Sequence, residues 1–327
     1  LLIAYRSPSG LGWHPITAMA RLAARLLEAD LLLLPSGREP SRLAKLGALL
    51  QRRRGGEPCL LLCSGPEDLD SLLLVPGWRR LGPVLAWVID SFWMNRLPGL
   101  ARHGGAIDAF FVTTEEDVPA WRRATGRPVH WLPWGTDALR LGSARADRPV
   151  DLLRTGRQPP EWDDDAASLA ACQAAGVRFQ GRPSAREDAD ENQRWLLECY
   201  GQARFSLAFS NLANPAGYTH PLRDYLTARW TDALAAGATV AGIAPVAPCV
   251  TSLLWPGATL ELGTTRRAAG LGLLAEGVRA WRPAQAAHNA RLALQRLDWR
   301  WRLEVLAGAL GVRPAALQAE LAELRAA

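Results

Sequence analysis

The sequence predicts two doubly wound α/β domains in tandem, on three observations. Short apolar runs alternate with helix-length segments through both halves, the pattern of parallel sheets covered on both faces. A polar, turn-rich stretch from Trp134 to Arg148 interrupts this alternation near the middle. The length of 327 residues suits about two domains. The expected division is 1–140 for the first domain and 149–300 for the second. Helices over 301–327 are expected to pack back on the first.

In the first half, Leu1–Tyr5 (LLIAY) reads as a strand and Pro15–Ala29 as a helix, with Ile16, Met19, Leu22, Leu26 and Leu27 at helical spacing. Strands follow at Asp30–Leu34, Cys59–Cys63, Val84–Ile89, Ala109–Thr113 and Val129–Leu132, with helices at Ser41–Arg53 and Glu115–Ala124. The second half repeats the logic. Strands are expected at Val150–Arg154, Val177–Phe179, Ala203–Ser210, Thr239–Ile243 and Ala258–Glu261. Helices are expected at Asp163–Ala175, Glu191–Gly201 and Thr227–Ala236, the last ended by Gly237, and over most of 268–327. Two such domains leave a cleft where ligands bind beyond the carboxyl ends of the strands.

Composition excludes several classes. Hydrophobic residues at 49% and charged residues at 21% rule out a disordered chain, a collagen and a coiled coil. The net charge is +6, and Lys45 is the only lysine, so the positive charge is nearly all arginine. The arginines are scattered, and the tight run Arg52–Arg54 reads as the end of a solvated helix. No nucleic-acid partner is expected, whereas a diphosphate suits this balance. The five cysteines (59, 63, 172, 199 and 249) form no C-x-x-C pair and read as reduced core thiols of a cytoplasmic protein. No secretory leader is expected within the sequence as it reads from Leu1, a residue that need not be the start of the natural chain. The charge-free stretch Ala233–Leu260 holds Pro245, Pro248 and Pro256 and makes a poor membrane span. Peripheral membrane contact and oligomeric state stay open.

Several residues stand where ligands would. The glycine loop Ser7–Gly12 follows the first strand. Pro15 occupies the place of the third glycine in a dinucleotide fingerprint, which disfavours that class. Gly10 and Gly12 are loop candidates, and His14 is either a base or a structural histidine. Asp90 closes the strand VLAWVID ahead of Trp93, and is either a cleft carboxylate or a cap. Among 14 tryptophans, Trp87, Trp93, Trp134 and Trp230 are possible sugar platforms, though most should be core. Asp-x-Asp strings at Asp68–Asp70, Asp163–Asp165 and Asp188–Asp190 sit in polar stretches and read as solvated or capping groups. No Walker A, His-Glu-x-x-His or Gly-x-Ser-x-Gly string occurs.

The stretch Tyr218–Gly242 is the most informative. A polar loop with His220, Arg223, Tyr225, Leu226 and Thr227 enters a helix that ends in Ala-Ala-Gly before a buried strand. The helix start offers unpaired amides and a positive dipole end. Arg223 and Arg229 flank it. Asp224 and Asp232 can each accept sugar hydroxyls, or they are solvated helix carboxylates.

This segment resembles the nucleotide-sugar site of GT-B glycosyltransferases. There an acidic residue, seven others and a second acid precede Ala-x-Ala-x-Gly; here Asp224, Asp232, Ala233, Ala235 and Gly237 stand in that order, with aspartates where glutamates are usual. The wording Leu226–Ala238, with Arg229 three before the acid, is closer to the CgeB-like branch of the family 4 type. The turn Leu132-Pro-Trp-Gly-Thr-Asp137, the strand and Gly-Arg of Asp151–Arg157, and the terminal segment from Leu297 also resemble that fold. The resemblance implies a glycosyltransferase using a nucleoside diphosphate sugar and a hydroxyl acceptor, with no cofactor and no metal. It implies that Asp232 meets the ribose and Asp224 the donor sugar, while Arg157 and Arg229 face the diphosphate. It implies that the first domain takes the acceptor. Family 4 implies retention; a base at His14 or Asp90 implies inversion. A nucleotide-sugar 2-epimerase-like isomerase and a non-catalytic binding module remain the alternatives.

Overall fold

The computed structural model describes residues 1–6, 10–50, 55–103 and 105–327, and two compact units emerge from it. One comprises Leu1–Pro133 with Arg300–Glu323, the other Trp134–Trp299 with Leu324–Ala327. Ser7–Ser9 of the glycine loop and the arginine run 52–54 lie outside the described residues.

The first unit holds six parallel strands: β1 (Leu2–Arg6), β2 (Asp30–Leu34), β3 (Cys59–Cys63), β4 (Val84–Val88), β5 (Ala109–Val112) and β6 (Val129–Trp131). Their order is β2-β1-β3-β4-β5-β6. Every residue of β3 and β4 is buried, which is why CLLLC and VLAWV lack polar alternation. Helices α1 (His14–Leu26), α2 (Arg42–Leu50), α3 (Gly99–His103) and α4 (Val118–Thr125) lie between strands. The direction in which strands are added reverses after β2, because β2 lies on one side of β1 and β3 on the other.

The second unit has the order β11-β10-β9-β7-β8, all parallel: β7 (Val150–Arg154), β8 (Phe179–Gln180), β9 (Ala203–Phe209), β10 (Thr239–Ile243) and β11 (Thr259–Glu261). Its helices are α5 (Ala138–Leu141), α6 (Pro160–Asp163), α7 (Asp165–Ala174), α8 (Ala189–Gly201), α9 (Ala228–Ala235), α10 (Pro248–Leu253), α11 (Arg267–Ala280) and α12 (Pro283–Arg296). The order places β8 on one side of β7 and β9 on the other. The switch point, where loops diverge and leave a crevice, therefore lies between the carboxyl ends of β7 and β9. Two more helices, α13 (Trp299–Leu310) and α14 (Ala315–Ala326), end the chain. Most of both belongs to the first unit.

Several expected bounds move for local reasons. Helix α1 stops at Leu26, before Ala29, because Glu28 takes a left-handed backbone at φ 52°. Glu115–Asp117 is a 3₁₀ turn that only then opens α4. The strand expected at Val177–Phe179 shrinks to Phe179–Gln180, since the Val177 amide still donates to Cys172 O in the turn after α7. Asp68 and Asp70 are buried where solvated or capping groups were expected. The Asp68 carboxylate accepts the Ser64 amide, and Asp70 pairs with Lys45 at 2.6 Å. Asp164 and Asp188 cap α7 and α8. The five cysteines are buried thiols outside any disulfide. No described helix is long and apolar enough to cross a membrane.

Candidate functional site

The crevice position of the second sheet is built by three loops. β7 ends in the turn Thr155-Gly156-Arg157, where Gly156 has φ +58°. A Cβ there would stand 3.0 Å from Arg229 Cδ, so both the backbone conformation and the close approach favour glycine. Arg229, the second residue of α9, donates from Nη1 to Arg157 O at 2.9 Å and from Nη2 to Phe209 O at 3.4 Å. It thus spans the ends of β7 and β9. The Arg157 side chain donates to Asn211 Oδ1 at 3.2 Å and to Asn214 O. The Tyr218 ring lies 5.5 Å from its guanidinium carbon.

Neither Arg157 nor Arg229 pairs with a carboxylate among the described residues. Burial holds the Arg229 guanidinium below its ordinary value, and the neighbouring Arg157 charge acts in the same direction. Two like charges in a partly desolvated crevice call for an anion.

The approach to α9 adds donors. Thr227 takes the N-cap position, but its hydroxyl makes no capping bond and is buried without a partner. Asn214 is 7% exposed, and its side-chain nitrogen is also unpartnered. Asp224 lies earlier on the same loop, with one carboxylate oxygen accepting the Asn211 amide and the other the Val246 amide, each at 3.1 Å. His220 Nδ1 accepts the Leu222 amide at 3.1 Å. Arg223, Tyr225 and Leu226 are partly buried in this loop.

Asp232 faces the body of its unit and is 3% exposed. One carboxyl oxygen accepts from Gln193 Nε2 at 3.1 Å, and the other is buried without a partner. The adjacent Thr231 hydroxyl donates to Gly135 O at 3.2 Å. Burial pushes the Asp232 carboxyl up to about 7, against the opposing pull of Thr136, Gln193 and Thr231. Between its ordinary value of 3.8 and about 7, the folded chain binds a proton that the unfolded chain does not. Stability should therefore fall as pH rises across that window. Asp232→Asn is expected to remove this slope, so that the variant gains roughly 1–3 kcal/mol on wild type between pH 5 and pH 8 in thermal melts. Parallel pH curves would contradict the assignment.

In the first unit, Gly10 (φ +114°) and Gly12 are exposed, and a Cβ on either meets nothing within 4 Å. His14 opens α1, and its Nδ1 is buried without a partner. Asp90 follows β4 and is pushed up to about 7, first by burial and then by Glu67, against the pull of Arg96. Arg96 pairs with Glu67 at 3.1 Å and lies 4.0 Å over the Trp93 ring. The structure thus groups Asp90 with Glu67, Arg96 and Trp93. No hydrogen bond or ion pair joins His14 to Asp90. Trp87, Trp134 and Trp230 are buried, which leaves Trp93 as the partly exposed ring of those four. Sequence reasoning missed Asn211, Asn214, Gln193 and Glu67. The polar spacing Asn211-x-x-Asn214 directly after a buried strand was the one available signal.

No protein-family model matches the chain, and no curated protein matches it either. Solved structures do. Anabaena Alr3699/HepE, solved in complex with UDP-glucose, superposes with a TM-score of 0.55 at 11% identity, over 95% of this chain and 99% of that one. S. aureus MnaA, solved with UDP, gives 0.48 at 7% identity, over 94% of each chain. At such identities the likeness is one of fold. The chain has the GT-B fold, with two Rossmann-like parallel-sheet domains.

Proposed function

We propose that this chain is a glycosyltransferase that moves a sugar from a nucleoside diphosphate donor to a hydroxyl acceptor. One observation carries the reading: at the switch point of the second sheet the Arg229 guanidinium donates to the main-chain carbonyl of Arg157, and neither arginine has a carboxylate partner among the described residues. The α9 N-terminus, whose cap residue leaves its hydroxyl unused, adds positive character beside them. A parallel sheet with this edge chemistry suits a diphosphate. The structurally similar HepE was solved with UDP-glucose.

In this reading the donor's C1–O bond breaks toward the diphosphate, and the arginines and α9 amides take up the growing negative charge without a metal. The acceptor oxygen bonds to C1, and its proton passes to the departing phosphate, with retention. We place the ribose toward Asp232 and the family 4, CgeB-like type as the relationship. His220, Arg223, Tyr225, Leu226 and Thr227 would border the donor, and the loops at Gly10–His14 and Asp90–Trp93 would receive the acceptor. The buried thiols, none of them in a disulfide, suit a reducing cytoplasm.

The test is a calorimetric and thermal-shift screen against UDP, GDP, dTDP and their sugars. Saturable binding to one nucleotide is expected, together with weaker binding in Asp232→Ala. Absence of binding across the panel would refute the reading. Turnover of the donor with no acceptor present would mark an isomerase instead, and NMR of the product anomer separates retention from inversion.

A further inference from the structure

We propose that Asp224 is a positioning residue that sets the Arg157 guanidinium through Asn211, and that the Asn214 side-chain amide completes the anion cradle. The inference rests on the reading above for its ligand. It departs from what the sequence resemblance implies, which is contact between Asp224 and the donor sugar.

Asp224 is 7% exposed, and each of its carboxylate oxygens already holds a backbone amide. The amides belong to Asn211, after β9, and Val246, after β10, so one side chain ties the two strand-end loops together. Asn211, fixed at its amide by Asp224, turns its side-chain oxygen to Arg157 Nη2 at 3.2 Å. Arg157 Nη1 donates to Asn214 O. A continuous path therefore runs from a buried carboxylate through one asparagine to a guanidinium that has no acid of its own.

Asn214 supplies the second, independent observation. Its side chain is buried with a nitrogen that has no partner, and its main-chain carbonyl already accepts from Arg157. A buried amide donor without an acceptor is unfavourable. An anion bearing several oxygens would satisfy this donor together with both guanidinium groups. An aspartate engaged with two amides has no such deficit, and its negative charge would oppose a phosphate if it pointed into the crevice.

The experiment measures affinities for inorganic pyrophosphate, UDP and UDP-glucose in wild type, Asp224→Asn, Asn211→Ala, Asn211→Asp and Asn214→Ala. Asp224→Asn, Asn211→Ala and Asn214→Ala should each weaken pyrophosphate by about tenfold, the loss of roughly one hydrogen bond to a charged group. The factor should be the same for UDP and UDP-glucose. Asn211→Asp should keep the ligand-free melting midpoint yet bind pyrophosphate worse than Asn211→Ala, because a carboxylate there neutralises Arg157; a purely structural role predicts the reverse. Loss confined to UDP-glucose in Asp224→Asn would overturn the proposal in favour of a sugar contact. Wild-type affinities in Asn211→Ala and Asn214→Ala would overturn it as well, and these two variants decide the matter if Asp224→Asn does not fold. Wild-type binding of pyrophosphate but of no nucleoside diphosphate would refute the glycosyltransferase reading alone. Binding of neither would refute both.

Discussion

Arg229→Met should raise the dissociation constant for the preferred nucleoside diphosphate by about 100-fold, and Arg229→Lys by about tenfold, as measured by calorimetry. The guanidinium lies between the ends of β7 and β9, held by two backbone carbonyls. These carbonyls orient it without neutralising it. A hydrogen bond to a charged group contributes roughly 1.5–3 kcal/mol, so methionine, which gives up one such bond to the anion, forfeits about the 2.7 kcal/mol of a 100-fold change. Lysine keeps the charge but has no planar fork, so it cannot hold both carbonyls and an anion together. Donor binding at the wild-type level in Arg229→Met would mean the anion sits elsewhere.

A second large effect is expected far from the ligand. Arg300 on α13 has no exposed side-chain surface, and its Nε contacts Glu320 on α14 at 2.5 Å. Arg25 on α1 meets the other carboxylate oxygen at 2.8 Å. These two arginines hold the Glu320 carboxyl down at about 2 despite its burial. Glu320→Gln removes the negative charge that faces the buried Arg300, which should destabilise the first unit by about 3–5 kcal/mol. Because the folded value lies below the ordinary one of 4.5, the carboxylate's contribution is complete above that pH. It is lost as pH falls toward about 2. Melting midpoints of wild type and variant should therefore differ most near neutrality and converge toward pH 2. A constant gap would contradict this account of the ion pair.

Much of the fold was legible because its signals are local. The strands β7 and β10 fall where VDLLR and TVAGI predict, and α9 stops at the Ala-Ala-Gly that predicts its end. Shifts arose where a tertiary bond or a backbone angle overrode the pattern, as at Glu28 and Val177. The site was legible in part. Arg157 and Arg229 could be picked out as charged residues beside turns and a helix start. That Arg229 reaches the Arg157 carbonyl depends on the strand order, which places β7 beside β9 across about fifty intervening residues. The orientations of Asp224 and Asp232 were hidden for the same reason. Their partners, Val246 and Gln193, come from different loops and helices, and no spacing rule links them. Asn214 was hidden because an unpartnered amide is a property of its surroundings.

The most direct measurement is a crystal structure of this protein grown with UDP-glucose, or with whichever nucleotide sugar the screen selects. The account predicts the diphosphate between the Arg157 and Arg229 guanidinium groups, with a phosphate oxygen on Asn214 Nδ2 and the Asp224 carboxylate still on its two amides. A nucleotide bound away from the β7–β9 edge, or a crevice that stays closed at saturating ligand, would contradict it.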